Sequence, residues 1–261
     1  MRVRIAVALV AVGFAAVLGG CAGAEAPPGD SPGEFATTGG TVLADAVTAT
    51  EQAGSARISG SITSSASGGD MTAALSGVHS FNPQAMDVTL TLDQGVVRQV
   101  MVDGQAYVQL PELAGRWVTM NTPDLAGTIS PLLSGADLST LPEVTPDGTG
   151  TADGTAVTFY KADLDLGQAL QLAGLTDEAR GQLTGQLAAD PGAAVMRIGV
   201  DDAGRMAQFT LDTTVNLASG STETSTMDLR YYDFGVATDI SAPAPDQVVD
   251  SSALQDLGSG E

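Results

Sequence analysis

The sequence predicts an α+β fold, with a strongly curved antiparallel β-sheet shaped like a half-barrel and helices packed on its concave face. Most of the chain after residue 55 alternates apolar and polar residues, as strands with one buried face do. Tight-turn sequences separate these segments, which is typical of antiparallel sheets. A few other segments have helical spacing instead. About nine or ten strands exceed what a flat open sheet tolerates, so the sheet should curl.

The first helix is predicted over Thr41–Ala53. Val42, Ala46 and Ala49 recur there at helical spacing, and Gly54 follows as a stop signal. The helix precedes all of the predicted strands. We therefore expect it to cover one end of the sheet's apolar face.

Six short strands are predicted in the first half of the chain. The run from Met86 to Leu92 is the clearest, because Met, Val, Leu and Leu alternate with Asp, Thr and Thr. Asp103-Gly104 is a strong signal for a two-residue hairpin. The predicted bounds are Arg57–Thr63, Met71–Ser80, Met86–Leu92, Val97–Val102, Gln105–Leu110 and Arg116–Met120.

The second half of the chain mixes helices with strands. A short helix interrupted by Pro131 and Gly135 is predicted within Thr122–Leu141, and a loop over Pro142–Gly154. A longer helix is predicted over Leu166–Leu187, closed by Pro191-Gly192. The remaining predicted segments are the strands Ala156–Leu164, Ala194–Asp201, Arg205–Leu217 and Thr222–Phe234, followed by an extended ending at Ile240–Val249.

The only cysteine, Cys21, ends the run Leu18-Gly19-Gly20-Cys21 after an apolar stretch that opens Met1-Arg2-Val3-Arg4. A basic start, an apolar core and small residues before the break indicate a secretory signal. The apolar stretch is shorter than the roughly 20 residues that cross a bilayer. The run resembles a bacterial lipobox, in which the cysteine thiol receives a diacylglycerol. Cys21 is therefore the predicted lipid-attachment residue, and we expect anchoring to the outer face of the cell membrane.

The domain organisation follows from these segments. Residues 1–21 are predicted to be the signal peptide. Residues 22–40 are rich in Pro and Gly and predict a disordered tether. Residues 41–250 should form one folded domain, and residues 251–261 a flexible tail.

The charge of the chain excludes one class of partner. Ten Lys and Arg stand against 31 Asp and Glu, a formal net charge of −21. Such a field repels nucleic acid and anionic headgroups, so no nucleic-acid partner is expected. A basic patch cannot hold the protein at a membrane, and that role falls to the lipid on Cys21.

The sequence contains no motif that predicts catalysis, a cofactor or a metal site. His79 is the only histidine and should be a surface or strand-end residue. Zinc sites of the usual kind need more His or Cys than the mature chain has. The Gly-x-Ser-x-Gly spacing at Gly29–Gly33 lies in the tether, without the strand and helix that a nucleophile elbow needs. Carboxylate pairs for glycoside hydrolysis meet in space, so spacing leaves them open, but nothing specifically supports them. We expect no enzyme.

The apolar strand faces offer a different kind of site. They are rich in Val, Leu and Met rather than aromatics, and such side chains line adaptable apolar cavities or simply pack a core. Alternation alone does not separate these two interpretations. The candidate lining residues for a lipid ligand are Val88, Leu90, Leu92, Met101, Val108, Phe209, Leu211, Met227 and Leu229.

The chain resembles the LppX/LprG-type lipoproteins of mycobacteria and their relatives, which share a LolA-like fold. The lipobox is followed by a "V-D-G-x-x-Y" hairpin, a "V-D-x-x-G-R" hairpin and a closing "Y-x-D-F-G … I-x-A-P" strand. These motifs occur in that order over most of the chain. They lie at Leu18–Cys21, Gln99–Val108 with Trp117 after it, Val200–Met206, Leu229–Gly235 and Ile240–Pro243.

The resemblance implies a hydrophobic cavity between sheet and helices that accepts the acyl chains of glycolipids or other envelope lipids. It implies carriage of such lipids toward the outer envelope, in some members beside an envelope lipid transporter. It supplies no catalytic residues. The same architecture occurs in envelope-stress sensors, so the alternative is a non-catalytic sensor or scaffold module with a closed core.

Overall fold

The computed structural model describes residues 39–66, 69–113, 115–120, 144–172 and 184–249. Within them, one sheet holds 12 strands. Helix α1 spans Gly39–Gln52, and helix α2 spans Leu166–Leu172. The strands are β1 Ser55–Ala66, β2 Gly69–Phe81, β3 Gln84–Leu92, β4 Gly95–Val102, β5 Gln105–Gln109, β6 Trp117–Met120, β7 Val144–Ala152, β8 Thr155–Asp165, β9 Leu187–Asp201, β10 Met206–Leu217, β11 Thr222–Tyr232 and β12 Val248–Val249.

The strands lie side by side in the order β12-β6-β5-β4-β3-β2-β1-β11-β10-β9-β8-β7. Two antiparallel meanders, β1 to β6 and β7 to β11, are joined where β1 pairs with β11. Only β12 is parallel to its neighbour, β6. The sheet is curved and unclosed, so the predicted fold class is confirmed.

Strand register divides the side chains between two faces of the sheet. Directly paired residues share a face, and successive residues alternate between faces. The face that carries Ile58, Val88 and Phe209 holds the main apolar cluster, and we call it the core face. The opposite face carries residues such as Arg57 and Asp87, and we call it the outer face.

Helix α1 covers part of the core face. Leu43 and Ala46 are buried in the main cluster. Thr50 is also buried: its hydroxyl donates to the Ala46 carbonyl at 2.7 Å and accepts the backbone N–H of Met206 at 2.8 Å. Met206 lies at a register irregularity where β10 begins, so this bond satisfies a backbone group that the sheet leaves free. Through these two hydrogen bonds, Thr50 links helix α1 to strand β10.

Helix α2 follows β8 without a loop. The Asp165 side chain accepts the backbone N–H of Gln168 at 2.7 Å, and the Gln168 side chain accepts the backbone N–H of Asp165 at 2.9 Å. This reciprocal pair is a capping box, which satisfies two donors at the start of the helix. Leu166 and Ala169 of this helix are buried, and Ala169 belongs to the main cluster.

Two glycines let neighbouring strands approach β1 and β2 closely on the core face. A Cβ at Gly60 would meet the Asp228 carbonyl oxygen, and one at Gly77 would lie 2.7 Å from the Cα of Val88. Glycine inside a strand often marks such a close approach or a bend. Any larger residue at these positions would require the paired strand to move.

Two predicted segments are wrong. The loop predicted over Pro142–Gly154 contains strand β7, in which the register shifts between Pro146 and Thr149 and Gly148 has a φ of +83°. Such a bulge at a sheet edge accommodates Pro and Gly in a strand. Pro191-Gly192 does not close a helix but lies within β9, beside another register irregularity.

Other predictions fall partly outside the described residues. The interrupted helix within Thr122–Leu141 lies outside them, as does residue range 173–183 of the longer helix, whose predicted end Leu187 belongs to β9. The extended ending at Ile240–Val249 contains a short 3-10 helix and then β12. No helix among the described residues is long and apolar enough to cross a membrane.

Candidate functional site

The structure places all nine candidate lining residues on the core face. On one side of the sheet, Phe209 pairs with Leu229 and Leu211 pairs with Met227. On the other side, Val88 and Val108 both pair with Gln99, while Met101 pairs with Met86. The two groups are separated by β1 and β2, whose core-face residues continue the same apolar surface. The nine residues are Val88, Leu90, Leu92, Met101, Val108, Phe209, Leu211, Met227 and Leu229.

Burial changes along the core face. Val88, Phe209 and Leu229 are 0–2% exposed and belong to the main cluster. Val108 and Met101 are also buried, at 4% and 7%. These five candidates are therefore part of a packed core. Of the two interpretations that the sequence left open, core packing and a ligand cavity, their burial supports core packing.

A second set of core-face residues is only half-buried, and we call it the half-buried band. Leu211, Met227, Ile62 and Ala73 pair successively across four strands, and Leu92 pairs with Ala73 on a fifth. Ala73 itself is buried. The band comprises the half-buried residues Ile62, Leu90, Leu92, Val97, Leu211 and Met227.

The row of paired residues immediately beyond the band includes three polar side chains. The next paired residues on the same face are Thr213, Ser225 and Ser64, which are also half-buried. Met71 continues this row on β2 and is 43% exposed. The core face is thus buried at one end (the closed end) and half-buried and apolar in the middle, and the row beyond the band combines three polar residues with the exposed Met71.

His79 lies at the closed end, fully buried. It is near the end of a strand as predicted, but the prediction of a surface residue is wrong. Alternation along β2 puts it on the same face as Leu75, with Ala56 and Met86 paired beside it. Its ring lies 4.5 Å from that of Phe81, and neither ring nitrogen has a hydrogen-bond partner among the described residues. Burial lowers the pKa of His79 to about 4, so the imidazole is neutral at pH 7.

The period-two pattern that identified Leu75 could also have placed His79 on the core face. Gln99, on the same face, was missed as well; it is 4% exposed and has no side-chain hydrogen bond to another described residue. These two are the polar side chains of the core face on β2 and β4. The alternation of residues along each strand indicates the core face for both His79 and Gln99. Their polar side chains favoured a surface position instead.

Charged side chains on the outer face form ion pairs with one another. Arg98 binds both carboxylate oxygens of Asp87, at 2.6 and 3.0 Å, and lies over the Trp117 ring. The hydrogen bond to Asp87 raises the pKa of Arg98. Arg197 bonds Asp147 at 2.6 Å. These partly exposed ion pairs orient side chains and contribute little stability.

Val157 and Phe159 alternate along β8 and lie on the outer face of the sheet. With Ala152 and Ala207 they form a small separate cluster, over which the Arg197 guanidinium lies 3.5 Å from the Phe159 ring. They therefore belong to no site on the core face.

Two aspartates, Asp201 and Asp103, lie in hairpin turns. The Asp201 carboxylate accepts the backbone N–H groups of Ala203 and Arg205 and bonds the Arg205 guanidinium at 2.8 Å. Asp103 and Gly104 have φ angles of 52° and 72°, the left-handed pair of a tight hairpin turn. Among the described residues, no three His, Cys, Asp or Glu side chains are grouped as metal ligands.

Cys21 lies outside the described residues, together with the predicted signal peptide, most of the tether and the tail. Helix α1 begins at Gly39, within the predicted tether. Lipid attachment at Cys21 stays a prediction from the sequence.

Comparison with known proteins finds similarity in fold. No protein-family model matches the sequence, and no curated protein matches it significantly. Among solved structures, the chain is similar to the lipoprotein LppX of Mycobacterium tuberculosis, with 15% identity, a TM-score of 0.46, and 77% of this chain and 98% of that one covered. It is similar to LprF from Mycobacterium bovis, with 14% identity, a TM-score of 0.48, and coverage of 78% and 96%.

A third similar structure is a domain attributed to outer membrane lipoprotein sorting, from Vibrio parahaemolyticus. It has 10% identity and a TM-score of 0.32, with 75% of this chain and 92% of that one covered. LppX and LprF carry the names of the family that the sequence motifs resemble. Identities of this size concern the fold and say nothing about a ligand.

Proposed function

We propose that this protein is a membrane-anchored lipoprotein of the cell envelope that binds lipid acyl chains on its core face and carries them toward the outer envelope. Cys21 would hold the anchor, and the tether would keep the domain near the membrane. The ligand would be a lipid or glycolipid, and an envelope lipid transporter is a further proposed partner. No catalytic step is part of this function.

The half-buried band is the observation that carries the proposal. Leu90, Leu211 and Met227 pack against the main cluster on one side and keep some exposure on the other. Apolar side chains left in this condition by the protein's own packing are suited to receive an apolar ligand. The polar row at Thr213, Ser225 and Ser64 would mark the outer limit of the acyl chain.

The energetics favour a chain of ordinary length. Burying one CH₂ group is worth about 0.8 kcal/mol, so ten such groups would supply about 8 kcal/mol before the costs of binding. About 8 kcal/mol corresponds to a dissociation constant of about 1 μM before those costs, which still allows exchange with a membrane. The formal charge of −21 disfavours an anionic headgroup and favours a neutral or sugar-like one.

The alternative is an envelope sensor or scaffold with a closed core. Five of the nine candidate residues are packed as that alternative requires. The band is the feature that bears on the choice between the two functions, because a module with a closed core would have these side chains packed as those of the main cluster are.

The test is native mass spectrometry of the protein from residue 22 to its end, which keeps every described residue and omits the anchor. We expect a reproducible mass increment that disappears on solvent extraction and returns when lipid is added. A protein of bare polypeptide mass that also fails to take up added lipid would support the scaffold instead.

A further inference from the structure

The closed end of the core face contains a polar group that neither the fold nor the proposed function uses. His79 is fully buried, and its Nδ1 and Nε2 atoms make no hydrogen bond to any described residue. A buried polar group without a partner costs stability, and most native proteins avoid it. A nonpolar residue of similar size would fill the same place without that cost.

The immediate neighbours of His79 offer it nothing polar. Ala56 and Met86 are paired with it on either side, Gly77 precedes it on the same face, and Phe81 follows it with its ring in contact. The backbone groups around it are engaged in the ladders of β1, β2 and β3. A buried water needs about three hydrogen-bond partners, and among the described residues paired with His79 or next to it on the core face, only the imidazole offers an unengaged polar group. Water is therefore a poor solution to the missing bond.

The chemistry of the ring restricts the group that would supply it. A neutral imidazole has one N–H donor and one bare nitrogen acceptor. A hydroxyl group both donates and accepts, so it can pair with whichever nitrogen faces it. A carboxylate cannot donate to the bare nitrogen and would be buried as a charge in an apolar site.

We propose that His79 is the polar contact of the lipid site and that it recognises a hydroxyl group on the bound lipid. This inference rests on the proposed function, because the hydroxyl must arrive on a ligand whose apolar part lies along the core face. His79 is 0% exposed among packed residues, so the ligand must also open the closed end of the core face to reach it. Two sources share this chemistry: a hydroxyl on the acyl chain, and the free hydroxyls of a glycerol or sugar headgroup.

Three neutral probes separate these sources. Methyl 12-hydroxystearate carries a chain hydroxyl, 1-monopalmitoylglycerol carries headgroup hydroxyls, and methyl stearate carries none. Their affinities are measured on the delipidated protein from residue 22 to its end. We expect at least one hydroxylated probe to bind about fivefold or more tightly than methyl stearate, the size of one net hydrogen bond. His79→Phe should abolish that preference, while Ser80→Ala, on the outer face beside it, should retain it.

A second measurement uses the protein without substitutions, so its result does not depend on whether His79→Phe folds correctly. His79 is the only histidine, so a histidine-selective ¹H–¹⁵N spectrum contains a single imidazole. Its ring nitrogens should shift when the preferred hydroxylated probe binds and should not shift with methyl stearate.

Four outcomes would overturn the inference. Equal affinity for all three probes would leave lipid binding intact and remove the role of His79. A preference that survives His79→Phe, or a ring signal that does not move on binding, would do the same. Failure of every probe to bind would refute the proposed function together with this inference.

Discussion

Replacing Phe209 by alanine should lower the free energy of unfolding by about 3–5 kcal/mol, the range for removing a buried aromatic ring. Phe209 is 1% exposed and lies in the main cluster, paired with Leu229 on one side and Ile198 on the other. The loss combines the transfer of the ring to water with the cavity that it leaves. Urea unfolding of the delipidated protein measures it.

Leu211→Ala is the matched control for this effect. Leu211 is two residues along the same strand and on the same face, but it is half-buried. Its truncation removes less buried area and leaves an opening rather than a closed cavity, so about 2 kcal/mol is an upper limit. Equal losses at the two positions would show that the core face is packed uniformly and that the band is not distinct from the core.

Leu211→Trp should weaken lipid binding and leave the stability of the fold nearly unchanged. A tryptophan in the half-buried band would occupy the volume proposed for the acyl chain, so we expect lipid affinity to fall by about tenfold or more. The free energy of unfolding should change little, because the added ring projects into a region that the core does not fill. Native mass spectrometry and denaturant unfolding on the same samples give both quantities.

Thr210→Trp provides the matched control, because Thr210 is the preceding residue and faces outward beside Arg197 and Asp228. It adds the same bulk to the same strand and should leave lipid affinity unchanged. If both variants lost lipid equally, the effect would come from disturbance of β10 and not from occupation of the band.

The faces of the sheet could be predicted because strand alternation is a local property. Met86, Val88, Leu90 and Leu92 alternate with polar residues, and this pattern was sufficient to place all four on the core face. The hairpin at Asp103-Gly104 was predicted for the same reason, since its turn chemistry is contained in two adjacent residues.

The segments that failed depend on partners distant in sequence. β7 tolerates Pro146 and Gly148 only because a bulge against β8 absorbs them, and β9 contains Pro191-Gly192 at an irregular pairing with β10. The Pro and Gly residues of these segments favour loops when only the local sequence is considered. Pairing with strands distant in sequence overrides that preference. His79 was placed on the surface because residue type was weighed above the alternation of its strand.

The division of the core face into packed and half-buried parts could not be predicted from the sequence. Phe209 and Leu211 are both large and apolar, and both lie on the core face of the same strand. Their different burial depends on which helices and strands cover each position. The sequence does not contain that information in any local pattern.

The most direct measurement of where a lipid binds is photocrosslinking with a methyl palmitate analogue that carries a mid-chain diazirine. Peptide mapping should find adducts on the core face, at Leu90, Leu92, Leu211 or Met227, and an excess of unlabelled methyl stearate should suppress them. Adducts confined to outer-face residues such as Thr210, or labelling that the competitor does not reduce, would contradict a lipid site on the core face.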